Sequence, residues 1–226
     1  MNPQARMPAL RRATPARGQR SRERAPRLAS AGSIFKLAAV SDQTTTQIKQ
    51  LLATPEPPAL GPEPRTGVMT EAELNAKLDA LFRETKPSRL QQQLARSLLL
   101  LWHDHLDASH NISQGIENAD GSFVHAIMHR REPDYWNAKY WWRRVGAHPA
   151  FPEIARRAGE LLTCRRRREE SNLANQLLPG GKWDACAFVD ACEVAAGGCS
   201  EREALLREIQ RIETEVLLES FLTRWI

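Results

Sequence analysis

All six histidines of the 226-residue chain fall between positions 103 and 148, together with both tyrosines and three of the six tryptophans; a fourth, Trp102, stands just before them. Imidazole exchanges protons near neutral pH and, when neutral, binds metal ions, so the clustering points to acid–base or metal chemistry in this stretch. His103, Asp107 and His110 are spaced i, i+4 and i+7, which places them on one face of a helix if a single helix runs through them. His125 and His129 are spaced i, i+4, the separation at which two imidazoles of one helix reach a common ion. Two such helices, folded antiparallel about the Gly115–Gly121 loop, would enclose a pocket. Its candidate catalytic residues are His103, Asp107, His110, His125 and His129, and its candidate ligands for a divalent metal are His103, His110, His125 and His129. The competing reading has these rings capping main-chain carbonyls. His105, on the Leu94–Leu98–Leu101 stripe, fits best as a hydrogen-bonded core histidine.

The following segment combines cations with aromatic faces. Arg130, Arg131, Tyr135, Asn137, Lys139, Tyr140, Arg143 and Arg144, with Trp141 among them, could hold a carboxylate or phosphate and stack a planar ring, which makes a small anionic ligand the expected partner. The alternative is that Trp141 or Trp142 packs in the core while the arginines pair with Glu132, Asp134 and Glu153. Nucleophilic catalysis has no G-x-S-x-G elbow to stand on, and neither G-x-x-x-x-G-K-[ST] nor G-x-G-x-x-G occurs. Cys186, Cys192 and Cys199 do not have zinc-finger spacing and read as small buried thiols.

The elements that must position these residues read as helices throughout, because no segment alternates with period two. Thr70–Glu73 has the form of a capping box before Leu74, Leu78 and Leu81, and Ser88 can cap a long second helix with Leu90, Leu94, Leu98 and Leu101, expected to run to about Ser113. A third helix, Ser122–Arg131, would be capped by Asp120, and a fourth by Asp134, ending at Val145 with Gly146 at its C-terminus. A fifth begins near Pro152 and leads into Arg165–Glu170, read as a solvated face; Asp184 opens a sixth and Ser200–Glu203 the last. The expected architecture is all-α: a single helical-bundle-like domain of six to seven helices over 67–226. Residues 1–66 would form a disordered basic and Pro-rich extension with at most one weak helix, over 33–53.

Charge is unevenly placed. Residues 1–27 carry eight arginines and one glutamate, a net +7 that exceeds the +5 of the whole chain and leaves the rest slightly acidic. Nucleic-acid binding is therefore expected only through that tail, whose composition is also that of a transit peptide. Leu98–Trp102, as long as any apolar run, is far short of the roughly 20 residues that cross a bilayer. With no secretory apolar segment in 1–30 and no C-x-x-C pair, a cytoplasmic location is expected.

The stretch from Leu101-Trp102-His103-Asp104-His105-Leu106-Asp107 through Ala119-Asp120-Gly121-Ser122 to Arg143-Arg144-Val145-Gly146 resembles a family of uncharacterised proteins. The resemblance covers about fifty residues, weakens towards the C-terminus, and implies only that the His- and Trp-rich block is a family hallmark; no activity, ligand or catalytic residue comes with it. Two functions follow from the residues themselves. One is a His/Asp/Arg pocket binding a small anionic or metal-bound ligand, as a metal-dependent or acid–base enzyme. The other is a non-catalytic interaction protein, dimerising or binding a partner through Leu205, Ile209, Ile212, Val216 and Leu217 of the last helix.

Overall fold

A computed structural model describes residues 43–164, 168–198 and 200–225, without the side chains of 168–170. The arginine-rich tail, Cys199 and the side chains of Arg165–Glu170 lie outside the described residues. The fold is all-α: among the described residues every regular element is helical, in ten α-helices and two short 3-10 turns. They are α1 (43–50), α2 (Glu71–Thr85), α3 (Arg89–Trp102), α4 (Leu106–Ser113), α5 (Ala119–Arg131), α6 (Tyr135–Val145), α7 (Phe151–Cys164), α8 (Arg168–Leu177), α9 (Ala185–Ala195) and α10 (Glu201–Leu222). None of them is long and apolar enough to cross a membrane.

The helix starts follow local side-chain chemistry. Thr70 and Ser88 each form a full capping box, with Glu73 and Gln91 reaching back to the cap N–H. Asp134, Asp184 and Ser200 accept from the backbone N–H three residues on. Gly146 ends α6 at φ 62°, ψ −139°, a conformation that needs the absence of a Cβ. One cap is not the expected one: α5 starts at Ala119 with Asn118 as its cap, 2.8 Å from the Gly121 N–H. Asp120 instead joins His148, whose Nε2–H donates at 2.9 Å, and the Arg224 guanidinium at 2.8 and 3.0 Å.

More helices form than the six to seven expected, chiefly because the long second helix is two helices. The chain breaks at His103–His105, where Asp104 takes φ 67°, and α4 starts afresh at Leu106. A left-handed conformation is tolerated by aspartate and is steadied when its side chain is held. Here Asp104 is held by Arg65, through its N–H and Nε at 2.9 Å each, and by Arg131 at 2.8 Å.

Residues 51–69 are not a loose extension but a strap across the helix ends, with Leu51 and Leu60 buried and Ile48 of α1 fully so. Its fastenings are polar. Arg131 donates to the carbonyls of Ala59 and Gly61, Gln210 to those of Pro58 and Ala59, and Arg207 to those of Pro57 and Pro58. A segment without its own secondary structure must satisfy its buried carbonyls somewhere, and long side chains from α5 and α10 do so.

The core lies between α10 and the helices around it. Leu205, Leu206, Ile209, Ile212, Val216, Leu217, Leu218, Phe221 and Leu222 of α10 are all buried against this chain. Leu205, Ile209, Ile212, Val216 and Leu217, the residues named for a partner-binding seam, are thus buried inside this chain.

Candidate functional site

Two helices face each other across a tight turn. Asn118 caps α5, and Gly121, one turn in, lies so close to Ile116 that a Cβ would collide with the Ile116 carbonyl oxygen and side chain. The missing side chain lets α4 fold back onto α5, and that approach brings His110 of α4 against His125 and His129. The ring centroids are 4.8 Å apart for His110 and His125, 5.2 Å for His110 and His129, and 4.6 Å for His125 and His129, whose planes lie within 20° of parallel. One ring nitrogen from each residue can be chosen so that all three lie within 4.8 Å of one another.

The surroundings differ for each ring. His110 is half-buried, whereas His125 and His129 are 3% and 5% exposed. Trp141 of α6 stacks on His125 at 3.9 Å and covers that face. Neither nitrogen of His125 has a hydrogen-bond partner. The other buried orphans among the described residues are single atoms, four indole N–H groups and Arg130 Nε, so His125 alone has two polar side-chain atoms unsatisfied. Burial, and then the neighbouring His129 and His110, push the His125 pKa down from 6.5 to about 3. Burial also lowers that of His129, against the opposing pull of Glu132 and Asp134. Both rings are therefore held neutral, the state in which imidazole binds a metal ion.

His129 is oriented by its own helix end. Its Nδ1 is 3.2 Å from Glu132 Oε2 and 3.9 Å from Asp134 Oδ2, and the Asn137 side-chain amide nitrogen lies 3.1 Å from Nε2. Glu132 was not singled out as a histidine partner from the sequence. Its i, i+3 relation to His129 is the signal that could have found it.

The remaining candidates are distributed differently. His103 does not join the cluster. It is buried at the end of α3, accepts from the Met69 N–H at Nδ1 (3.1 Å) and donates to the Leu51 carbonyl from Nε2 (2.8 Å), so it pins the strap. His105 is half-buried and donates to the Met69 carbonyl at 2.8 Å. Asp107 is exposed, in a cleft of about 450 Å³ lined also by Glu71, Asp104, His105 and Glu132. The break at Asp104 explains both departures, because His103 and Asp107 share a face with His110 only on an unbroken helix.

The anion-binding candidates divide in two. Arg130 and Arg131 are 0% and 1% exposed and belong to the fold. Arg130 makes a two-point contact with Glu213 at 2.5 and 3.2 Å and lies over Phe188 at 4.5 Å, while Arg131 holds Asp104 and the strap. Neither guanidinium is exposed. Lys139 pairs with Asp190, Tyr135 packs against the core, and Asn137 stands at His129. Tyr140, Arg143 and Arg144 remain exposed, with Arg144 over the faces of Tyr140 and Trp141.

Compared with family models, curated proteins and solved structures, the chain matches none. The site's reading accordingly rests on its own geometry and chemistry.

Proposed function

We propose that this chain binds one divalent transition metal ion through His110, His125 and His129 and uses the coordination positions left open to act on a ligand. The observation that carries this reading is His125: a neutral imidazole, almost wholly buried, with no partner for either nitrogen. An unsatisfied buried polar group costs about 1–3 kcal/mol, and a metal ion accepting one lone pair removes part of that cost. The donor set fits. Three imidazoles without thiolate suit zinc, copper, nickel or iron(II). Nitrogens bound at about 2.0–2.1 Å in a tetrahedron lie about 3.3 Å apart, so nitrogens within 4.8 Å need to close by no more than about 1.5 Å.

The surroundings support the same reading. Glu132, 3.2 Å from His129 Nδ1, is placed to keep the proton on that nitrogen and leave Nε2 as the lone-pair donor, the usual carboxylate–histidine–metal arrangement. Asn137 reaches that nitrogen and would be displaced on ligation. Trp141 closes the His125 side against water. Three protein ligands leave at least one position for water or substrate, and zinc in such a site lowers the pKa of its water to about 7. A metal-dependent enzyme is the function this arrangement serves best.

The test is metal uptake by the purified full chain. Zinc or cobalt(II) titrated into chelator-treated protein should saturate at about one equivalent, with cobalt giving visible d–d bands of a low-coordinate nitrogen site. His110→Ala, His125→Ala and His129→Ala should each abolish tight binding, while His103→Ala should leave the equivalence unchanged. A wild-type chain that takes up no more metal than the triple His→Ala variant overturns the reading.

A further inference from the structure

Outside the histidine cluster, the surface of α6 carries an arrangement that the fold does not use. Trp136, Tyr140 and Arg144 are spaced i, i+4 and i+8 and form a rail along one side of the helix. Trp136 is 75% exposed and Tyr140 38%, and the two rings lie nearly parallel, 12° apart with centroids at 6.4 Å. The Arg144 guanidinium extends the rail, 5.9 Å over Tyr140 and 5.2 Å over Trp141. Trp141 is in turn the ring stacked on His125. Large aromatics left in water forgo apolar burial, and a guanidinium steadied by two ring faces loses little further freedom on binding. Among the described residues no carboxylate pairs with Arg144 or with its neighbour Arg143, whereas Lys139 one turn back is neutralised by Asp190.

We infer that this rail seats a small ligand with an oxyanion on a planar ring, the oxyanion held by Arg144 and the ring laid on Trp136 and Tyr140. Charge and shape single out this class: the open cation calls for a carboxylate or phosphate, and the parallel aromatic pair offers a flat apolar ledge. Asn137 and Trp141, the residues of α6 that touch His129 and His125, lie on the adjoining side of the helix, so a ligand on the rail stands beside the three imidazoles. That such a ligand also meets a metal ion rests on the function proposed above; the rail itself does not.

Ligand-observed NMR titrations on the zinc-loaded and the metal-free full chain test this, with four probes: benzoate, phenyl phosphate, acetate and inorganic phosphate. Benzoate or phenyl phosphate should bind saturably and more tightly than the ringless probe of the same charge. The tighter of the two identifies the oxyanion as carboxylate or phosphate. Arg144→Gln should weaken the ring-bearing probes about tenfold, the effect of losing one charge-assisted contact, with part of the affinity returning in Arg144→Lys. Trp136→Ala should bring the ring-bearing probes down to the level of acetate and inorganic phosphate. Binding that is unchanged in Arg144→Gln, or no saturable binding of any probe, overturns the inference. Zinc uptake with Arg144-independent probe binding sinks the rail and leaves the metal site standing; Arg144-dependent binding in a chain that takes up no zinc does the reverse.

Discussion

Helix α5 buries polar residues on two sides and treats them in opposite ways. On one, Asp120, Arg130 and Arg131 are buried and paired with charged or polar partners, with His148 and Arg224, with Glu213 and Gln210, and with Asp104 and the strap carbonyls, Arg130 Nε alone being left over. On the other, His125 and His129 are buried as deeply, but His125 has no partner and His129 has only groups from its own helix end and the next. Burial of a polar side chain is thus no guide to its use; the supply of partners is. Groups whose charge is answered from within the chain hold the fold together, and a side chain left without any answer beside two like rings is the one free to take a ligand from outside.

The sharpest way to break this comparison is to remove a partner from the engaged side. Glu213→Ala strands a fully buried guanidinium and should destabilise the chain by about 3–5 kcal/mol, read as a shift in the denaturant midpoint at unchanged slope. A change below about 1 kcal/mol would mean that Arg130 finds water and that the two sides are alike. Next in size is the acid response. Burial alone would raise the Asp120 pKa, but the hydrogen bonds from His148 and Arg224 outweigh it and hold the carboxyl at about 2. A carboxyl with a depressed folded-state value binds fewer protons folded than unfolded, so its contribution is complete above about pH 4 and is lost as the pH falls towards 2. Unfolding measured from pH 5 to 2 should fall less steeply in Asp120→Asn than in the wild type, a difference of about 1–2 kcal/mol at the acid end.

Smaller still is the loss of a cap. Asn118→Ala should cost about 1 kcal/mol, with an equal loss in the metal-free and metal-loaded protein if the cap only starts the helix. The smallest effect on folding is expected from the unanswered side. His125→Phe fills a similar volume without stranding any partner and should leave metal-free stability within about 1 kcal/mol of wild type, or raise it, while removing metal uptake altogether. A large destabilisation would place His125 with the structural groups.

What could be read from the sequence is what local chemistry decides. The Thr70–Glu73 box, the Ser88, Asp134 and Ser200 caps and the Gly146 stop act within one turn of chain, and the structure has them where the residue types put them. The meeting of His110 with His125 and His129 was legible for a related reason: it needs only i, i+4 spacing and a short turn. Residues decided by distant partners were not. Asp120 has the right type for a cap but is claimed by Arg224, more than a hundred residues on. Arg130 and Arg131 look like surface cations until Glu213 and the Asp104 break are in place. The break itself carries no glycine or proline; it is held by Arg65 of the strap on Asp104 and by His103 on the strap's Leu51 carbonyl.

Between Pro57 and Gly61 the strap is gripped by its main-chain oxygens, those of Pro57, Pro58, Ala59 and Gly61. Evolution could rewrite most of its letters freely, since a peptide oxygen is the same whatever side chain follows it. It could hardly change the count: deleting or inserting a single residue between 56 and 61 would shift every oxygen out of register with its arginine or glutamine. Variation in this ribbon should therefore come as substitution and seldom as a change in length.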